Sequence, residues 1–116
     1  PLLSQLLKLS RLNLILDYIH THYEVPLSLH NISLQMHLTK ETCCRLFKKM
    51  TGKTITQYLT DYRISQSIPL LLSGRYSVSQ VSQLTGFSNS SRFARAFRER
   101  TGENPKEYLH PKSSLL

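Results

Sequence analysis

FRERTGENPKEYL stands at residues 97–109, and FKKMTGKTITQYL at residues 47–59. With a shift of fifty, Arg45 falls on Arg95, Phe47 on Phe97, Lys48 on Arg98, Thr51 on Thr101, Gly52 on Gly102, Tyr58 on Tyr108 and Leu59 on Leu109. Seven correspondences in fifteen positions mark an internal duplication, which has to be settled before any local reading. Upstream the shift becomes forty-nine, setting Ile32 on Val81, Ser33 on Ser82, Leu38 on Phe87 and Thr39 on Ser88. The second copy therefore carries one extra residue near Asn89.

Each copy reads as helix, tight turn, helix. In the second, Ser77 and Gln80 form an S-x-x-Q capping box, Val78, Val81 and Leu84 supply an apolar stripe, and Gly86 ends the helix. The next helix, about Ser90 to Arg100, sets Phe93, Ala96 and Phe97 at core spacing and stops at Gly102. In the first copy Ser28 is the cap, Ile32 and Met36 face inward, and His37 takes the place of Gly86. His is among the non-Gly types that tolerate positive φ. A second helix follows from Lys40 to Met50 and stops at Gly52, with Cys43 in the core position of Phe93 as a small hydrophobe.

After each of these glycines a new helix starts. Thr54 pairs with Gln57 as a capping box; Asn104 is the cap in the second copy, with Pro105 at the first helical position and Glu107 three residues after the cap. The helix from about Ile55 to Leu72 connects the copies, and its 18 residues span roughly 27 Å at 1.5 Å per residue. The expected fold is all-α, two helix-turn-helix subdomains joined by a long connecting helix, about seven helices in all. Residues 1–10 are expected as a linker or helix extension, 11–53 as the first subdomain, 54–73 as the connector, 74–110 as the second subdomain and 111–116 as a tail.

Composition bears on the partner. The 116 residues carry fifteen Lys plus Arg against seven Asp plus Glu, a formal net charge of +8. Such an excess on a small chain favours polyanions, nucleic acid first and acidic membrane second. No apolar run approaches the roughly 18 residues of a membrane span, and the Leu-rich start has neither a basic leader nor a small-residue cleavage site. Cys43 and Cys44 are adjacent and cannot staple distant segments, which fits a reducing, cytoplasmic compartment. Pro1 in place of Met suggests a piece of something longer.

The string GFSNSSRFARAFRERTGENPKEYL, residues 86–109, resembles the G-F-x-x-x-S-x-F-x-R-x-F-K-x-x-x-G-x-x-P-x-x-Y signature of the DNA-binding domain of the AraC/XylS family of bacterial transcription regulators, with Arg98 in place of Lys. The resemblance covers residues 11–110. It implies sequence-specific binding of double-stranded DNA by the C-terminal domain of a regulator, with the second helix of each unit in consecutive major grooves. It further implies contact with RNA polymerase and a preceding effector or dimerisation domain. Three departures stand out. Pro69 interrupts the connecting helix, at a typical cost of about 3 kcal/mol unless a kink accommodates it. Ser67 replaces a small apolar residue, and Leu109 stands where the family generally has Arg.

On the helical wheel of the first recognition helix Cys43, Leu46, Phe47 and Met50 face inward, leaving Lys40, Glu41, Cys44, Arg45 and Lys48 on the groove side or its flank. In the second, Phe93, Ala96 and Phe97 face inward and Ser91, Arg92 and Arg95 outward. Arg45 and Arg95 are the leading base readers, since a guanidinium pairs bidentately with guanine O6 and N7. Lys40, Lys48, Lys49 and Arg98 are assigned to phosphate. The family comparison carries base-reading roles to Glu41, Cys44 and Arg45 in the first unit and to Ser91, Arg92 and Arg95 in the second. Glu41 has a second reading, because a carboxylate near a helix start is favoured by the helix dipole anyway. Ser28 and Ser77 are explained by capping, although helix starts also bind phosphate.

Catalysis and metal binding are set aside. Cys44, His30 and His37 have no evident orienting carboxylate or amide. Adjacent cysteines on a helix point about 100° apart and no further ligand set completes a zinc site. No cofactor is expected. A basic helical protein-interaction module is the alternative to a DNA-binding domain. The Leu-rich segment Leu2 to Leu16 has three readings: packing on this domain, joining another domain, or pairing with a second chain.

Overall fold

The computed structural model describes residues 1–109, so the expected tail, 111–116, lies outside the described residues. Among the described residues there are seven helices and no strand: α1 (Leu2–His22), α2 (Leu29–Met36), α3 (Lys40–Thr51), α4 (Ile55–Leu72), α5 (Val78–Leu84), α6 (Ser90–Thr101) and α7 (Pro105–Leu109). They form two compact units. The first takes Pro1–Tyr23 and Leu27–Leu59; the second takes Glu24–Pro26 and the chain from Thr60 onward.

The first unit closes around Ile15 and Ile19 of α1, Ile32 of α2, Cys43 and Phe47 of α3, and Ile55 and Leu59 of α4. Ile15 and Ile19 are one turn apart, and Leu12 and Leu16 flank them at the same interface, a stripe of helical period. Leu2–Ser10 continue the same helix with every side chain exposed. Packing of the Leu-rich segment thus begins at Leu12, while Leu14 points outward, 53% exposed.

The second unit repeats the plan with Ile64 and Leu71 of α4, Val81 of α5, and Phe93, Ala96 and Phe97 of α6. Pro69 lies inside α4 on an exposed face, and the helix runs through it to Leu72. The ring removes the N–H that would reach the carbonyl of Ser65, and Ser65 is itself exposed, so water can take that carbonyl. Ser67 is fully buried, and its hydroxyl donates to the Ile64 carbonyl at 2.6 Å. That bond satisfies a polar group that would otherwise sit unpaired in the core.

The duplicated letters become duplicated hydrogen bonds. His37 at φ 56° ends α2, its N–H reaching the Leu34 carbonyl at 3.2 Å while Leu38 N–H reaches Ser33 at 3.0 Å. In the second unit Gly86 at φ 88° reaches Gln83 at 3.2 Å and Phe87 reaches Ser82 at 3.0 Å. Thr39 caps α3 by accepting from Thr42 N–H, and Asn89 caps α6 by accepting from Arg92 N–H. The equivalent of Thr39 is therefore Asn89 rather than Ser88, and the extra residue lies inside the turn.

The Thr-Gly pairs explain why both recognition helices run one residue past the expected ends at Met50 and Arg100. Thr51 donates its hydroxyl to the Phe47 carbonyl at 2.7 Å and accepts from Lys53 N–H at 3.2 Å. Thr101 does the same with Phe97 at 2.8 Å and Glu103 N–H at 3.2 Å. Gly52 and Gly102, at φ 79° and 82°, then take the left-handed position that side chains avoid. The ring of Phe47 meets that of Tyr58 edge-on at 5.6 Å, as Phe97 meets Tyr108 at 4.9 Å. The repeated string thus fastens the end of each recognition helix to the helix that follows.

Two caps differ from one another. Thr54 and Gln57 form the expected reciprocal box, at 2.9 and 3.0 Å. The side chain of Asn104 instead accepts from Arg98 Nη1 at 3.2 Å, and α7 begins with the Asn104 carbonyl accepting from Glu107 N–H. Pro105 at the first helical position brings the φ that a helix start needs.

Candidate nucleic-acid interface

Within α3, Cys43 and Phe47 are buried at 1% and 0% exposure and bracket Arg45. At about 100° per residue Arg45 projects some 180° from the midpoint of those two anchors. Phe93 and Phe97, both fully buried, bracket Arg95 in the same way on α6. Both arginines are exposed. The burial of four side chains therefore aims two guanidiniums outward at the same station of two matched helices.

Around Arg45 the exposed side chains of α3 are Lys40, Glu41, Lys48 and Lys49, with Cys44 half-buried. Around Arg95 on α6 they are Ser91, Arg92, Arg98 and Glu99. All ten residues assigned to DNA from the sequence thus lie on one or the other recognition helix and reach solvent, with Cys44 the least open. Burial, together with neighbouring Cys44, pushes the Cys43 thiol above its ordinary value, so it stays protonated inside the core. Among the described residues no group of three His, Cys, Asp or Glu is placed to hold a metal ion.

The matched basic residues one turn beyond the arginines share a posture. Lys48 donates its Nζ to the Gly52 carbonyl at 3.1 Å, and Arg98 donates Nη1 to Asn104. Each cation rests at the C-terminal end of its own helix, where the dipole favours it.

Two residues that sequence reasoning passed over bear on the site. Glu99 carries a carboxylate 4.0 Å from Arg95 Nε. Its signal was the i,i+4 spacing together with Lys49 at the matched position of the other copy. Arg63 on α4 donates Nη2 to the Val25 carbonyl at 2.9 Å, and its guanidinium carbon lies 5.9 Å from the centre of the Phe87 ring, in the turn that leads into α6. Burial lowers its pKa from the ordinary arginine value. No local pattern announces a bond that spans 38 residues.

Two units, each offering the open face of its second helix, define a double helix-turn-helix domain. A family model described as a helix-turn-helix domain matches residues 32–110. The chain belongs to that family, whose AraC-type members are DNA-binding domains of transcription regulators and not enzymes. It is 35% identical over 105 residues to the uncharacterized HTH-type transcriptional regulator YdeC of Bacillus subtilis (strain 168), covering 90% of this chain and 36% of YdeC. It resembles the C-terminal domain of AraT, a response regulator from Geobacillus stearothermophilus, with TM-score 0.83, 21% identity and coverage of 88% and 85%. The DNA-binding domain of AdpA, solved in complex with a target DNA, has TM-score 0.83, 23% identity and coverage of 90% and 94%. The chain spans between 34% and 42% of the length of YdeC and two other curated relatives.

Proposed function

We propose that the chain binds double-stranded DNA at specific sequences as part of a transcription regulator, with α3 and α6 entering consecutive major grooves. The observation that carries this reading is the pair Arg45 and Arg95, each set opposite buried anchors at the same station of a duplicated helix. The basic charge and the fold shared with the AdpA DNA-binding domain support it.

Arg45 and Arg95 read guanine edges in this scheme. Glu41 and Cys44 flank the first reader, Ser91 and Arg92 the second. A regulator of this kind works in the cytoplasm, touches RNA polymerase as well as DNA, and takes its signal from an effector or dimerisation domain.

Selection of bound duplexes from a random pool tests the proposal. The expected motif has two dissimilar sub-sites about 10 base pairs apart on one face, with no palindrome required of a monomer. A single compact sub-site would overturn simultaneous docking, and failure to bind any duplex at low salt would overturn the DNA reading itself.

A further inference from the structure

The two recognition faces differ at one matched pair. On α6, Arg95 Nε lies 4.0 Å from Glu99 Oε1, one turn further on, and the side chains are 78% and 60% exposed. On α3 the residue matched to Glu99 is Lys49, so Arg45 has a cation at i+4 where Arg95 has an anion. Arg98 and Arg100 on the same helix bond Asn104 and Asp61, while Arg95 lies within ion-pair reach of Glu99.

In the free protein an exposed pair of this kind contributes little to stability. Its consequence comes when the face meets a polyanion. Phosphate contacts carry no sequence information and strengthen with each added cation, so a helix with Lys at both ends of its face holds any duplex. A carboxylate on the face penalises poses in which α6 leans on the backbone without a base engaged. The approach through Nε also matters. Arginine takes guanine O6 and N7 end-on through its two Nη groups, leaving Nε–H turned toward the carboxylate.

We propose that Glu99 is a specificity-determining positioning residue: it holds Arg95 for end-on contact with a guanine and suppresses sequence-blind binding by α6, while α3, with Lys49 in that place, supplies affinity. The inference rests on the DNA-binding reading above.

The test uses the whole chain and the variants Glu99→Gln, Glu99→Lys, Arg95→Ala and the Arg95→Ala/Glu99→Gln double variant, each checked for unchanged helicity and melting. Affinity is measured for the selected site and for a scrambled duplex at several salt concentrations. Glu99→Gln tightens scrambled DNA more than the selected site, lowers their ratio by about three- to tenfold and relaxes preference at the base read by Arg95. Glu99→Lys does the same and steepens the salt dependence by about one unit. In the Arg95→Ala background Glu99→Gln leaves the ratio where it was. Equal shifts of both affinities by Glu99→Gln, or a change in their ratio that persists without Arg95, would overturn the assignment while leaving DNA binding intact. A parent protein that binds with no preference for any sequence would instead overturn the DNA-binding reading, and this one with it.

Discussion

Arg100 of α6 donates its Nε–H to Asp61 Oδ1 on α4 at 2.6 Å, with the two side chains only 28% and 32% exposed. A second bond, Arg100 Nη1 to the Ala96 carbonyl at 3.3 Å, keeps the guanidinium along its own helix. The pair ties the recognition helix of the second unit to the helix that enters that unit.

Arg100→Ala and Asp61→Ala are each expected to lower the stability of the second unit by about 1 kcal/mol, the range of a charge-assisted bond discounted for its partial exposure. The double variant should lose less than the sum of the two. Urea unfolding of the four proteins measures this. Strict additivity would mean that the bond is not energetically real.

Ser33 and Ser82 occupy matched positions and are both buried, yet they differ in kind. Ser33 Oγ donates to the His30 carbonyl at 2.9 Å, whereas Ser82 Oγ has no partner among the described residues. Ser33→Ala should therefore cost about 1 kcal/mol, and Ser82→Ala should be neutral or stabilise by up to about 1 kcal/mol, since it removes an unsatisfied hydroxyl. Thermal melts distinguish the outcomes, and equal losses at both positions would show that Ser82 has a partner.

The turn of the first unit stores strain that the second avoids. His37 holds φ 56° where Gly86 holds φ 88°. His37→Gly should raise stability by about 0.5–1 kcal/mol, and Gly86→Ala should lower it by about 1–2 kcal/mol. A loss of stability in His37→Gly would place a stabilising contact on the imidazole that the geometry does not contain.

Much of this was legible because the repeat encodes local bonds. Thr-Gly marks a helix end whose hydroxyl and left-handed residue act within four positions, so the string alone locates the stops of α3 and α6 to within one residue. The core anchors Cys43, Phe47, Phe93 and Phe97 followed from helical period, and they settle which way Arg45 and Arg95 face. What escaped was not local in this sense. The bonds Arg63 to Val25 and Arg100 to Asp61 join residues 38 and 39 apart, and no period announces them. Asn104 carries the letter of a cap but spends its side chain on Arg98. The placement of the extra turn residue escaped because Ser88 and Asn89 are both good cap types, and only the bond to Arg92 N–H chooses between them.

The central claim is that the outward arginines read bases and the flanking lysines clamp the backbone. The most direct measurement is the affinity of Arg45→Ala, Arg95→Ala, Lys48→Ala and Lys49→Ala for the selected site and for scrambled DNA across a range of salt concentrations. Each arginine variant should lose about 1–3 kcal/mol on the selected site and relax preference at one base position. Each lysine variant should weaken both duplexes alike and lower the salt slope by about one unit. Equal losses on both duplexes from Arg45→Ala and Arg95→Ala, with base preference intact, would make these arginines phosphate clamps and contradict the account.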